Sequence, residues 1–150
     1  MSTTHDSATP ALGDQLRDPA YSAYLALRTV FTIAPIVMGL DKFFNVLTHP
    51  HHWSMYLAGW IDGVVPGTAD QLMYVVGVIE IVAGVLVAVA PRFGAWVVAA
   101  WLAGIIIDLV TVPGFYDIAV RDFGLLVGAV ALARLAQGVH DGSIGYTARR

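Results

Sequence analysis

Four stretches of the chain stay apolar for about twenty positions each and admit charge at only a few places. Residues 24 to 43, YLALRTVFTIAPIVMGLDKF, form the first, and residues 72 to 90 the second. Residues 93 to 112, FGAWVVAAWLAGIIIDLVTV, and residues 118 to 137, IAVRDFGLLVGAVALARLAQ, form the third and fourth. At 1.5 Å of rise per residue, about 20 residues reach about 30 Å, the thickness of the hydrocarbon layer of a bilayer. One such run suits the core of a soluble domain, but four in 150 residues predict an all-α integral membrane four-helix bundle. Pro35 predicts a kink in the first span and a freed backbone carbonyl. PRFG at 91 to 94 predicts a tight turn between the second and third spans, and Pro113-Gly114 ends the third.

The longest connection, residues 45 to 71, has its own pattern. Trp53, Tyr56, Leu57, Trp60 and Ile61 recur at i, i+3, i+4, i+7 and i+8, which predicts a short amphipathic helix with an aromatic face. Trp and Tyr favour the headgroup level, so this helix is expected to lie in the interface as an anchor, with a lid over the bundle as the alternative. Residues 1 to 22 are polar, with Pro10, Gly13 and Pro19 and no apolar core of a signal peptide. They read as a solvated arm, residues 23 to 138 as the membrane domain and residues 139 to 150 as a tail.

Arg17, Arg28, Arg92, Arg134, Arg149 and Arg150 fall toward the side of the termini, and only Lys42 and Arg121 toward the other. By the positive-inside rule both termini are cytoplasmic, in an inner-membrane, multi-pass topology. The connection 45 to 71 is then outside.

Composition agrees with lipid as the main partner: 57% of residues are hydrophobic and 13% charged, against about 25% charged in ordinary soluble domains. Mean hydropathy is +0.70. A net charge of -3 without a basic run excludes a nucleic-acid footprint. The absence of cysteine excludes disulfides, thiolate-ligated iron–sulfur clusters and cysteine nucleophiles.

Charges within the spans are the candidate chemistry. Glu80 sits near the middle of the second span, inside VGVIEIVAGVLVAVA. Arg28 lies about 6 residues from the middle of the first, roughly 9 Å in depth, and its long side chain predicts an ion pair with Glu80. Asp41, Lys42, Asp108, Asp117, Arg121 and Asp122 all fall in the outer halves of their spans and predict one charged layer beneath the loop helix. An isolated charge at a span's centre costs about 2.5–3.5 kcal/mol on insertion scales, so these groups must face one another or water. Asp108 shares a face with Gly104 and Ile105, and Gly124 with Gly128 forms a small-xxx-small stripe beside Asp122. A bundle held together by charge pairs explains these groups as well as a proton relay, a quinone contact or a substrate pocket does.

His49, His51 and His52 in THPHHW are weak metal candidates, because Pro50 and the i, i+2, i+3 spacing do not favour one tetrahedral set. No histidine lies inside a span, which argues against a haem held within the bundle. No cofactor is expected to be bound covalently. GxGxxG, Walker, GxSxG and HExxH motifs are missing, and GVIEIVAG is the interior of a span.

Arg28 followed by MGLDKFF gives R-x10-G-x2-K, ending at Gly39 and Lys42; GVIEIVAGVLV adds Glu80 and Gly84. With PRFGAWVVAAWLAGI and VRDFGLLVGAVALA, this order resembles the DoxX-like family, including DoxD-type and MauE-type relatives, over about residues 24 to 137. The resemblance implies a four-helix inner-membrane protein, some of whose relatives are linked to sulfur-compound oxidation feeding quinone or to membrane oxidoreductase assemblies. It marks Arg28, Lys42 and Glu80 as motif positions.

The leading expectation is a quinone-facing or accessory subunit of a membrane redox system. In its quinone version Arg28, Lys42 or Arg121 donates to a quinone carbonyl and Glu80 or Asp108 handles the proton. A proton-coupled carrier and an inert anchor or assembly factor are the alternatives. Gly77 with Gly84, or Gly124 with Gly128, would serve internal contacts or a homo-oligomer.

Overall fold

A computed structural model describes residues 12–49 and 51–145. The arm residues 1–11 with Pro10, Pro50 of the histidine segment, and residues 146–150 with Arg149 and Arg150 lie outside the described residues. The described residues are all helical in their regular structure, with no strand among them.

Helix α1, Leu12–Leu16, leads into α2, Pro19–Phe44. Pro19 takes the first helical position, where a missing N–H leaves no bond unmade, and the Asp18 side chain accepts from the Ala20 N–H at 2.9 Å. This cap starts α2 ahead of the expected residue 24. Pro35 lies inside the helix and leaves the Phe31 carbonyl without its usual partner. At the far end Asn45 takes a left-handed conformation, φ 51°, and its N–H closes on the Asp41 carbonyl.

The loop that follows departs from the expected amphipathic helix. It holds a 3-10 turn at Trp53–Tyr56 and one α-turn, α3, at Gly59–Asp62, separated by extended backbone at Leu57 and Ala58. The break has a tertiary cause: the Ala58 N–H donates to Asp108 Oδ1 at 2.9 Å, a bond that a continuous helix would have used internally.

Thr68 and Gln71 form a reciprocal capping box that starts α4, Ala69–Val89. Helix α5, Pro91–Thr111, follows after Ala90 alone, with Pro91 at its first position. The expected turn PRFG is therefore already helical. Gly94 makes the hairpin this tight: a Cβ there would lie 2.5 Å from the Val87 nitrogen. Helix α6, Tyr116–His140, ends in a turn whose Gly145 N–H donates to Asp18 Oδ2 at 2.8 Å. The C-terminal end of α6 is thus tied to the start of α2.

Helices α2, α4 and α5 are long and apolar enough to cross a membrane. Only 17%, 33% and 28% of their most apolar stretches is buried, so Val30, Ile33, Val78, Val82 and Ile107 look outward, as lipid requires. The interior is small-grained. Ala83, Ala95, Ala99, Ala129, Ala133 and Ala136 surround Phe31, Val87, Val98 and Leu132, and small residues let helix backbones approach. α2 packs chiefly on α4, and α5 on α6.

Candidate functional site

The contact between α2 and α4 sets which charges meet. Gly39 faces Gly77 so closely that a Cβ on Gly39 would lie 2.5 Å from the Gly77 carbonyl oxygen. Gly84 meets Thr32 and Ile36 in the same way. Both α4 glycines are therefore used inside the molecule, in an antiparallel register that brings Lys42 beside Gly77, one turn from Glu80.

Lys42 Nζ lies 2.6 Å from Glu80 Oε2, with side-chain exposures of 4% and 13%. Water barely reaches this pair, so it is not screened as a surface pair would be. The Trp53 ring covers it, its centroid 4.0 Å from Lys42 Nζ. Trp53 is itself held by Asp41, whose Oδ2 accepts from Trp53 Nε1 at 3.0 Å and from the Thr48 hydroxyl at 2.7 Å. Asp41 Oδ1 accepts from the Val46 and Leu47 N–H groups at 2.8 and 2.7 Å. The adjacent Asp41 and Lys42 thus divide the work: one fixes the loop, the other neutralises Glu80, and Trp53 joins the two.

The expected Arg28–Glu80 pair does not form. Arg28 Nη2 donates to the Ala88 carbonyl at 2.5 Å and Nη1 reaches the Tyr24 hydroxyl at 3.4 Å. Ala88 is eight residues from Glu80, about 12 Å along the helix, which puts Arg28 beyond reach. It caps the C-terminal end of α4 instead, where carbonyls lack intrahelical partners and a cation is favoured.

The expected charged layer forms only in part. Asp122 on α6 is buried and near enough to act electrostatically on Glu80, whereas Arg121, 3.4 Å from Asp122, has a side chain 65% exposed. Asp117 is exposed. Asp108 is taken by the loop, through Ala58, and the Trp60 Nε1–H donates to Thr111 Oγ1 at 3.1 Å beside it. Tyr56 packs on Phe115, ring centroids 4.9 Å apart. The aromatic segment is thus strapped over the ends of α2 and α5. Trp60 is 55% exposed, and His49, His51 and His52 are exposed on the same loop.

The expected Gly124–Gly128 stripe does not act as one surface. A Cβ on Gly124 would meet nothing within 4 Å, while Gly128 abuts Phe31 of α2. Gly104 is likewise open. Reading the sequence missed the partners Thr48, Thr111 and Ala58; the only signal was the adjacent acid and base at the end of a span.

A family model for DoxX matches residues 23–112, well over half of the chain. The chain belongs to the DoxX family. The match takes in most of α2, the loop, α4 and α5, so Arg28, Lys42, Glu80 and Asp108 of this DoxX protein all lie within it, and it stops before α6. With three apolar helices of spanning length, this DoxX chain is a multi-pass membrane protein. No curated protein matches it, and no solved structure does.

In this DoxX geometry Asp41 and Asp108 are acceptors that hold the loop, and substitution tests that role. Asp108→Asn keeps an acceptor for Ala58 and is expected to leave protection of that amide from hydrogen exchange unchanged, whereas Asp108→Ala is expected to lose it. Asp41→Asn keeps Oδ1 for the Val46 and Leu47 amides but sets an amide donor against the Trp53 indole and the Thr48 hydroxyl, so altered Trp53 fluorescence is expected. Unchanged exchange in Asp108→Ala and unchanged fluorescence in Asp41→Asn would show that the strap does not depend on these carboxylates.

Proposed function

We propose that α6 is a fourth span beside α2, α4 and α5, and that the protein is an accessory subunit of a membrane redox assembly. In this reading both termini face the cytoplasm across the inner membrane, on the strength of Arg17, Arg28, Arg92 and Arg134. The redox association rests on the family resemblance. What supports the accessory role over a chemical one is a single observation: Glu80 is paired with Lys42 beneath Trp53.

A quinone site needs a hydrogen-bond donor and a proton carrier in one cavity. Lys42 and Glu80 neutralise each other, and Asp108 holds the loop. Arg121 is exposed beside Asp122. Arg28 lines a groove with Leu25, Thr29, Thr32, Ile33 and Ala88, and no carboxylate lines it. A quinone there would meet a donor but no acid. A carrier needs a polar path past Glu80, and Lys42, Trp53 and Asp41 stopper its loop side. Gly104 on α5 and Gly124 on α6, both open, would let a second copy approach closely.

Gentle purification from native membranes, with identification of co-eluting proteins, tests this reading, together with electron flow in membranes carrying Glu80→Gln. A membrane oxidoreductase is expected to co-elute, and Glu80→Gln to lower the amount of assembly and the electron flow in proportion. Electron flow that falls while the assembly stays at full abundance would assign Glu80 to the chemistry and sink the accessory reading.

A further inference from the structure

We infer that the groove at Arg28 binds the phosphate headgroup of an anionic phospholipid. The first ground is depth. Ala88 is the penultimate residue of α4, a helix of 21 residues, whose length of about 31 Å matches the hydrocarbon layer. Its carbonyl, and the guanidinium that donates to it, therefore lie where acyl chains meet headgroups.

The second ground is charge. Among the described residues no carboxylate pairs with Arg28; the described ion pairs are Lys42–Glu80 and Arg121–Asp122. Asp14, Asp18 and Asp141 belong to the same end of the molecule, yet none of them bonds to it, and the Asp18 side chain is engaged by Ala20 and Gly145. A guanidinium carries five N–H donors in a planar fork suited to phosphate. Two donors are engaged, by the Ala88 carbonyl and the Tyr24 hydroxyl. A cation at this depth without a counter-charge calls for an anion from the membrane.

The third ground is shape. The groove holds about 300 Å³ and is lined by Leu25, Arg28, Thr29, Thr32, Ile33 and Ala88. Thr29 and Thr32 line the same groove as Arg28, and their hydroxyls make no hydrogen bond to the described residues, so both are open to a ligand. Leu25 and Ile33 supply the apolar wall that an acyl chain follows. The volume is at the small end for ligand sites, enough for a headgroup phosphate and the start of a chain. Basic pockets between spans are where anionic headgroups bind. This inference stands apart from the redox reading and survives its failure.

The test is lipid retention, read by native mass spectrometry of the full-length protein released from micelles containing equal amounts of phosphatidylglycerol and phosphatidylcholine. Wild-type protein is expected to retain phosphatidylglycerol in preference, and Arg28→Met to lose that preference by roughly fivefold, the effect of one basic side chain near an anionic surface. Arg28→Lys is expected to restore part of it. Should Arg28→Met fail to fold, Thr29→Trp fills the groove from an exposed position, leaves the Ala88 cap in place, and is expected to lower retention to the same extent. Arg17→Gln, an exposed arginine at the same end, is expected to leave retention unchanged. Equal retention of the two lipids, or a preference that survives both Arg28→Met and Thr29→Trp, overturns the inference. Displacement of the lipid by millimolar inorganic phosphate makes this a free-anion site and overturns it too, as does a quinone retained in place of lipid.

Discussion

Lys42→Met will destabilise the protein by about 3–5 kcal/mol, the usual loss when one partner of a buried ion pair is removed. Methionine fills most of the volume, so the loss comes from Glu80, left without its counter-charge in the middle of α4 with side-chain exposure of 13%. The variant also removes the cation beneath the Trp53 ring, a contact worth about 0.5–2 kcal/mol. Unfolding in mixed detergent micelles measures the change. A loss below about 1 kcal/mol, the range of exposed pairs, would contradict the account, because it would mean that water already screens the site.

The second large effect belongs to the glycines that set the register. A Cβ on Gly39 would lie 2.5 Å from the Gly77 carbonyl oxygen and 2.8 Å from Ile81 Cγ1, and the first of these is backbone that cannot turn aside. Gly39→Ala is therefore expected to force α2 and α4 apart and to cost about 1–3 kcal/mol, as overpacking does. Gly124→Ala meets nothing within 4 Å, and alanine is the better helix former, so stability is expected to hold or rise slightly. Comparable losses at the two positions in the same unfolding assay would show that the close approach of α2 and α4 is not what the sequence is built around.

These two effects mark where the sequence was legible. The spans can be read because apolar length is a local property: α4 begins at Ala69 and α5 ends at Thr111, within a few residues of the expected limits. The caps were also local, and Asp18-Pro19 and Thr68 with Gln71 carry signals that place the helix starts more tightly than hydropathy does. Pairing is different. Arg28 and Lys42 are both long cations on α2, and what gives Glu80 to Lys42 is the offset between α2 and α4, fixed by Gly39 against Gly77. No periodicity within one helix encodes that offset.

The loop failed for the opposite reason. Its i, i+3, i+4 pattern is helical by itself, but Asp108, fifty positions away, captures the Ala58 amide and breaks the run into two turns. Its aromatic residues then divide: Trp53 turns in toward Lys42 and Asp41, Tyr56 stacks on Phe115, and Trp60 stays largely outside. Long-range capture of one backbone group outweighed the local preference of about eight residues, as tertiary context commonly does.

A double-mutant cycle on Lys42 and Glu80 tests most directly whether neutralisation inside the helix pair holds this protein together. Lys42→Met, Glu80→Met and the double variant are unfolded side by side in the same micelles. Each single variant is expected to be less stable than the double one, which requires a coupling larger than the loss from either single variant, above about 3–5 kcal/mol, because removing both charges leaves no buried group unpaired. Strictly additive losses, with the double variant the least stable of all, would contradict it.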